Sequence, residues 1–143
     1  MNPLQQSIPD AERKLAYTCL IPIRWGDQDA YGHVNNALYF RFMEQARCEW
    51  LTEFGHEIVP IGHSPVIINA GATFLQPLNY PGTVEVKMFV GQVGRSSFPT
   101  DYELRIVGDA TLYATGSAKI VWMDHQTGKS VPVPDNVRAV LAG

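Results

Sequence analysis

Apolar and polar positions alternate with period two over four stretches in the second half of the chain: 65–78, 83–93, 97–107 and 111–124. In the second of these, Val84, Val86, Met88 and Val90 stand against Glu85 and Lys87. Such alternation predicts strands with one face turned to a core. The breaks, at Tyr80-Pro81-Gly82, Gly94-Arg95, Gly108-Asp109 and 125–128, all carry turn residues. Links this short predict that the last three strands meander antiparallel. Residues 15–25 are rich in β-branched and aromatic side chains and read as a first strand, with Pro22 marking an edge or an irregularity.

The period changes over 36–54. At about 100° per residue, Tyr39, Phe42, Met43, Ala46, Trp50 and Phe54 fall on one stripe, and Arg41, Gln45, Cys48 and Thr52 fall opposite. This predicts an amphipathic helix of about five turns, closed by Gly55 at a C-cap. Residues 55–65, rich in Gly, Pro and His, read as a surface connection. One strand, one long helix and four strands make an α+β chain, a five-stranded antiparallel sheet with one helix against it, as a single domain over 1–143. One helix leaves sheet edges and part of a face to be covered, which favours a homo-oligomer.

Composition narrows the class. The chain is 45% hydrophobic and 17% charged, which excludes disordered and fibrous proteins. A net charge of −3 gives no positive field to gather nucleic acid or anionic lipid. Cys19 and Cys48 lack the spacing of a metal or redox pair and read as unpaired thiols of a reducing compartment. No stretch has the length of a signal peptide's apolar run at the N-terminus or of a membrane span, so a soluble cytoplasmic protein is expected.

Several motifs fail on inspection. Asp27, Asp29 and Gly32 begin like a calcium loop, but Tyr31 and Leu38 stand where further oxygen ligands are needed. Gly128-Lys129-Ser130 ends like a phosphate-binding loop, yet Met123 occupies the position of its first glycine. His33, His56, His63 and His125 form no zinc-ligand pattern, so no metal is expected. Gly94-Arg95-Ser96-Ser97-Phe98 has the wrong last residue for a nucleophile elbow, which disfavours a serine hydrolase.

The loop GDQDAYGHVNN, 26–36, is polar and runs straight into the apolar helix. The first N–H groups of a helix have no internal acceptors and favour an oxyanion or a polarised carbonyl. A carboxylate in the same loop can act there as general base or nucleophile in acyl transfer. Asp27 reads as a loop-bending residue, and Asn35 or Asn36 as a helix cap. On the residues alone Asp29 stays open between a bending and a catalytic role.

The run from Arg24 to Asn36, with Asp27-Gln28-Asp29 and Gly32-His33-Val34-Asn35-Asn36, followed by Tyr39 and Glu44-Gln45-Ala46-Arg47, resembles the hotdog-fold acyl-CoA thioesterases of the 4-hydroxybenzoyl-CoA thioesterase family. The resemblance implies a curved five-stranded sheet wrapped around one long central helix. It implies that Asp29 is the catalytic carboxylate and that the backbone N–H near Asn36 polarises the thioester carbonyl. It implies that His33, Asn35 and Tyr39 lie at the substrate, although hydrogen bonding within the loop accounts for His33 equally well, and that the turn with Arg95, Ser96 and Ser97 meets coenzyme A phosphates. Arg95 reads equally as a solvated turn residue. A second branch of the fold uses a helix carboxylate, but Glu44 and Glu49 read as structural, Glu44 in an ordinary pair with Arg47 or Arg41.

The expectation is therefore a cytoplasmic acyl-CoA thioesterase, a homodimer or homotetramer, without metal or redox cofactor, coenzyme A entering only as part of the substrate. Two alternatives stay open: an acyl-thioester hydratase or dehydratase, and a non-catalytic acyl-thioester binding module.

Overall fold

Residues 7–54 and 62–143 are described by the computed structural model. In chain order they form β1 (Lys14–Pro22), α1 (Asn36–Thr52), β2 (His63–Phe74), β3 (Thr83–Val90), β4 (Ser97–Ile106), β5 (Ala114–Asp124) and α2 (Asp135–Ala142). The five strands make one antiparallel sheet in the order β1-β3-β4-β5-β2. As expected, β3, β4 and β5 meander, while β1 and β2 close the two edges. The alternation of β3 is realised in full, with Val84, Val86, Met88 and Val90 buried.

Register fixes which loops share an end of the sheet. Pro22 lies opposite Thr83, Val84 opposite Ile106, and Phe74 opposite Ala114. At the other end Lys14 faces Val90, and His63 faces Asp124. The loop before α1 therefore belongs to the first end, and the β3–β4 turn to the second.

α1 lies on the concave face. Tyr39, Phe42, Met43, Ala46 and Trp50 are buried, and Arg41, Gln45, Cys48 and Thr52 are exposed, as the helical spacing predicts. Close approach is possible because β5 carries Gly116 beneath the helix: a Cβ there would stand 2.4 Å from Met43 Sδ and 3.1 Å from the Gly71 carbonyl oxygen. Trp50 meets Phe98 edge-on at 5.9 Å between ring centres, within the range where aromatic pairs attract. Beside it, Glu49 accepts from Tyr17 Oη at 2.9 Å and from Gln45 Nε2 at 2.7 Å. Burial, then the Glu49 carboxylate, pushes the Cys19 thiol up to about 12.

Three differences from the sequence reading have local causes. The first strand stops at Pro22 because Trp25–Asp27 turns into a 3-10 helix. The second strand is displaced: it takes in His63 and Ser64, and the chain leaves the ladder after Phe74, where the Leu75 and Gln76 N–H groups both donate to the Tyr113 carbonyl. β5 begins at Ala114 because Thr111 and Tyr113 are drawn to Asp109, Tyr113 Oη donating to its carboxylate at 2.7 Å. The proposed Gly55 cap and most of the 55–65 connection lie outside the described residues.

The sequence reading missed two features. α2 buries Val137 and Leu141, and Arg138 donates to the carbonyls of Gly94 and Arg95 at 2.8 Å each. On the convex face, buried Asp101 accepts from the N–H groups of Ser7 and Ile8 and from Ser7 Oγ, with Arg13 Nε at 3.7 Å. That carboxylate fastens the segment before β1 across the sheet.

Asp101→Ala removes the charged acceptor that holds the N–H groups of Ser7 and Ile8, and is expected to lower the unfolding free energy by about 2 kcal/mol in urea titration. A thiol reagent is expected to label Cys48 alone in the native state and both cysteines after unfolding.

Candidate active site

The loop between β1 and α1 is built from its own polar groups. Asp27 is buried; its Oδ2 accepts from the Arg24 N–H at 2.8 Å and its Oδ1 lies 3.2 Å from the Arg24 guanidinium. Its carbonyl accepts from the Asn35 N–H at 3.1 Å, so Asp27 braces both ends of the loop. Between them Gln28 bridges Val34, and a tight turn is closed by the Gly32 N–H donating to the Asp29 carbonyl at 3.0 Å. Gly32 has φ 82°, a conformation that favours glycine. Val34 is the loop's anchor: its side chain is buried and its N–H donates to the Leu78 carbonyl at 2.9 Å.

Asp29 sits half-buried in this frame. One carboxylate oxygen accepts from the Tyr31 N–H at 2.9 Å, the ordinary Asx turn. That bond is the bending role the residue type suggests, and it occupies Oδ1 only. Asn35 is the N-cap, its Oδ1 accepting from the Ala37 N–H at 2.9 Å. Asn36 is the first helical residue, and among the described residues its N–H makes no hydrogen bond. The N–H groups on either side of it are engaged.

Asp29 and Asn36 line one cavity of about 620 Å³, together with His33, Tyr39, Phe74 and Gln76. Tyr39 is both core and wall: its ring meets Phe74 edge-on at 5.0 Å, and its hydroxyl accepts from the Leu78 N–H at 3.0 Å. Burial raises the Tyr39 pKa against the pull of that N–H, so the phenol stays protonated. His33 Nδ1 lies 2.7 Å from the Asn79 amide, whose nitrogen also reaches the carbonyls of Leu78 and Gly32 when it faces the ring. In that arrangement Nδ1 accepts and the proton is on Nε2. Among the described residues no cluster of His, Cys, Asp and Glu has the form of a metal site.

The sequence-expected residues divide into two groups. Asp29, His33, Asn35, Asn36 and Tyr39 share the cavity. Arg95, Ser96 and Ser97 do not: they lie at the opposite end of the sheet, in the β3–β4 turn. There Arg95 is exposed, and its carbonyl accepts from the Val133 N–H and from Arg138. Arg138, a second cation at that turn, was invisible to a reading of the turn alone. Its helix could have been found from Pro134-Asp135 before an apolar i, i+4 pair, Val137 and Leu141. Glu44 pairs with Arg41 at 3.1 Å, and Glu49 with Tyr17, so both helix acids are structural as expected.

The chain is similar in sequence and fold to known proteins. The model of the thioesterase-like superfamily matches residues 23–141. A protein of Aquifex aeolicus (strain VF5), provisionally named an esterase, is 29% identical over 122 residues, 83% of this chain and 92% of its own. Among solved structures, the PA2801 protein of Pseudomonas aeruginosa, provisionally a thioesterase, superposes with a TM-score of 0.84 at 40% identity, over 90% of this chain and 99% of its own. BH1999, a gentisyl-coenzyme A thioesterase, does so with a TM-score of 0.74 at 26% identity, over 85% and 98%.

Asn35→Ala removes the cap that aims the first turn of α1, and is expected to cost about 1 kcal/mol in chemical denaturation.

Proposed function

The chain belongs to the thioesterase-like superfamily and is a hotdog-fold thioester hydrolase, and from that premise we propose that it hydrolyses acyl-CoA thioesters at Asp29. One observation carries the reading: a carboxylate with an oxygen to spare and a helix-start N–H without an acceptor line the same cavity. The thioester carbonyl oxygen takes the Asn36 N–H, where the helix dipole adds to the hydrogen bond. Asp29 then acts on the carbonyl carbon, either through a water that it deprotonates or by direct attack to an anhydride that water opens. Either route adds one water and releases the acid and the thiol. A thiol of pKa near 8.5 leaves with little help from a general acid, which suits so sparse a site.

His33 Nε2–H and the ring of Tyr39 contact the acyl thioester, and the Asn35 cap holds the helix start at the carbonyl. The turn with Arg95, Ser96 and Ser97 binds the coenzyme A phosphates, with Arg138 as a second cation nearby. Because that turn and Asp29 lie at opposite ends of one sheet, a single ligand meets both only across two copies of the chain. The protein is accordingly a homodimer, or a tetramer of such dimers, with no metal or redox cofactor. We assign it to the cytoplasm; among the described residues no helix is long and apolar enough to cross a membrane. The coenzyme A part of the proposal is supported by BH1999, which acts on gentisyl-coenzyme A.

The test is thiol release from short, long and aromatic acyl-CoAs, wild type against Asp29→Asn at equal folded concentration. Wild type is expected to turn over at least one substrate, and the variant to lose about a hundredfold or more in kcat. An active Asp29→Asn protein would remove Asp29 from the mechanism. Ligand-induced stabilisation without thiol release would make the protein a binding module.

A further inference from the structure

We propose that Asn79 is a positioning residue: its amide fixes the proton of His33 on Nε2, so that the ring offers the Asp29 cavity a hydrogen-bond donor. The inference rests on the acyl-CoA reading for its chemistry, and on a hydrogen-bond geometry that stands without it.

Asn79 follows Leu78 in the connection between β2 and β3, and that connection is pinned to the site from two sides. The Leu78 N–H donates to Tyr39 Oη at 3.0 Å, and the Leu78 carbonyl accepts from the Val34 N–H at 2.9 Å. The Leu78 side chain is buried. The next side chain is thereby carried to the turn of the β1–α1 loop, where one end of the Asn79 amide stands 2.7 Å from His33 Nδ1.

Two backbone carbonyls decide which end that is. The same amide atom lies 3.3 Å from the Leu78 carbonyl oxygen and 3.2 Å from the Gly32 carbonyl oxygen. An amide oxygen placed there would face two acceptors with no proton between them. The amide nitrogen brings two protons, one for His33 Nδ1 and one for the carbonyls. A ring nitrogen that accepts a hydrogen bond carries no proton, and in a neutral imidazole the proton is then on the other nitrogen. The backbone of Gly32 and Leu78 thus orients the amide, and the amide selects the tautomer.

The tautomer matters because of what a thioester lacks. Its carbonyl oxygen and its sulfur are acceptors, and the reacting group carries no donor. A ring with its proton on Nδ1 would turn a lone pair towards them, whereas Nε2–H donates. His33 lines the cavity with Asp29 and Asn36, and its carbonyl accepts from the Asp29 N–H at 2.9 Å, so the ring and the carboxylate are carried by one short turn. Asn79 does not line the cavity. Its effect on a ligand passes through the His33 ring.

Two readouts decide it. In isotope-labelled protein at about pH 8, where an ordinary histidine is neutral, long-range proton–nitrogen correlations separate bare from protonated ring nitrogens, and His33→Ala identifies the His33 signals. Wild type is expected to show Nδ1 bare and Nε2 protonated. In Asn79→Asp, whose carboxylate only accepts, the proton is expected to move to Nδ1. A wild-type ring protonated on Nδ1, or a ring unchanged in folded Asn79→Asp, overturns the proposal. Should Asn79→Asp not fold, Asn79→Ala replaces it and is expected to give averaged signals at both nitrogens; unchanged signals overturn the proposal equally.

The second readout is kinetic. Asn79→Asp is expected to lose about tenfold in kcat/KM on an acyl-CoA that the wild type turns over, one hydrogen bond's worth. The same change is expected to cost less than about twofold in a His33→Ala background, because a residue that acts through another adds nothing once the other is gone. An equal loss in both backgrounds would make Asn79 a brace of the loop and overturns the proposal. If wild type turns over no acyl-CoA, the acyl-CoA reading alone fails, and the tautomer still decides the role of Asn79.

Discussion

A helix cannot satisfy its own first N–H groups, and the loop from Arg24 to Asn36, with Leu78, is organised around the start of α1. The carbonyl of Leu78 takes the N–H of Val34, that of Asp27 takes Asn35, and the Asn35 side chain takes Ala37. Among the described residues the Asn36 N–H has no acceptor, and it stands where the helix start opens on the cavity. This accounts for a loop so polar running into a helix so apolar. The side chains of Asp27, Asp29 and Asn35 take the N–H groups of Arg24, Tyr31 and Ala37, and the donor at Asn36 is the one the proposed chemistry uses.

Holding that donor still is the work of the core. α1 is tied to the connection before β3 by Tyr39 to Leu78, and to the sheet by Arg47 to Tyr102 and by Glu49 to Tyr17. Between these ties the apolar stripe packs against β3, β4 and β5, and Gly116 lets the helix settle close to β5. Polar ties of this kind fix the rotation and depth of a helix that burial alone would leave free to slide. Asp29 and the Asn36 N–H thus sit on a short braced loop and a helix end, and their spacing is inherited from a packed core.

Much of this was legible in the sequence wherever one short-range rule decided the outcome. Period two gave the strands, and the stripe from Tyr39 to Trp50 named the buried face of α1 residue by residue. The loop's Asx chemistry and its helix cap also followed from local rules, whereas the family resemblance singled out Asp29 as the expected catalytic carboxylate. What escaped was set at long range. α2 is short, and its worth lies in Arg138 reaching a turn 43 residues earlier in the chain. The hold of Asp101 on Ser7 spans 94 residues, and no periodicity announces such a contact. The strand boundaries after Pro22 and Phe74 moved because side chains and carbonyls outside the ladder, Asp27 and Tyr113, competed for the backbone. The distance of Arg95 from Asp29 is likewise a property of sheet order, which motif spacing does not encode.

Tyr39 serves the core and the cavity with one side chain. Its ring is buried against Phe42 and Phe74 and its hydroxyl holds the Leu78 backbone, while the same ring edge forms part of the wall around Asp29. A change there alters ligand fit and folding together, so the position has little freedom to diverge. Phe74 and Gln76 border the same space but are exposed in the chain, and a substitution at either disturbs far less of the interior. Descendants of this sequence that acquire new substrates have their cheapest route along that exposed rim, with the tyrosine kept as the fixed side of an adjustable opening.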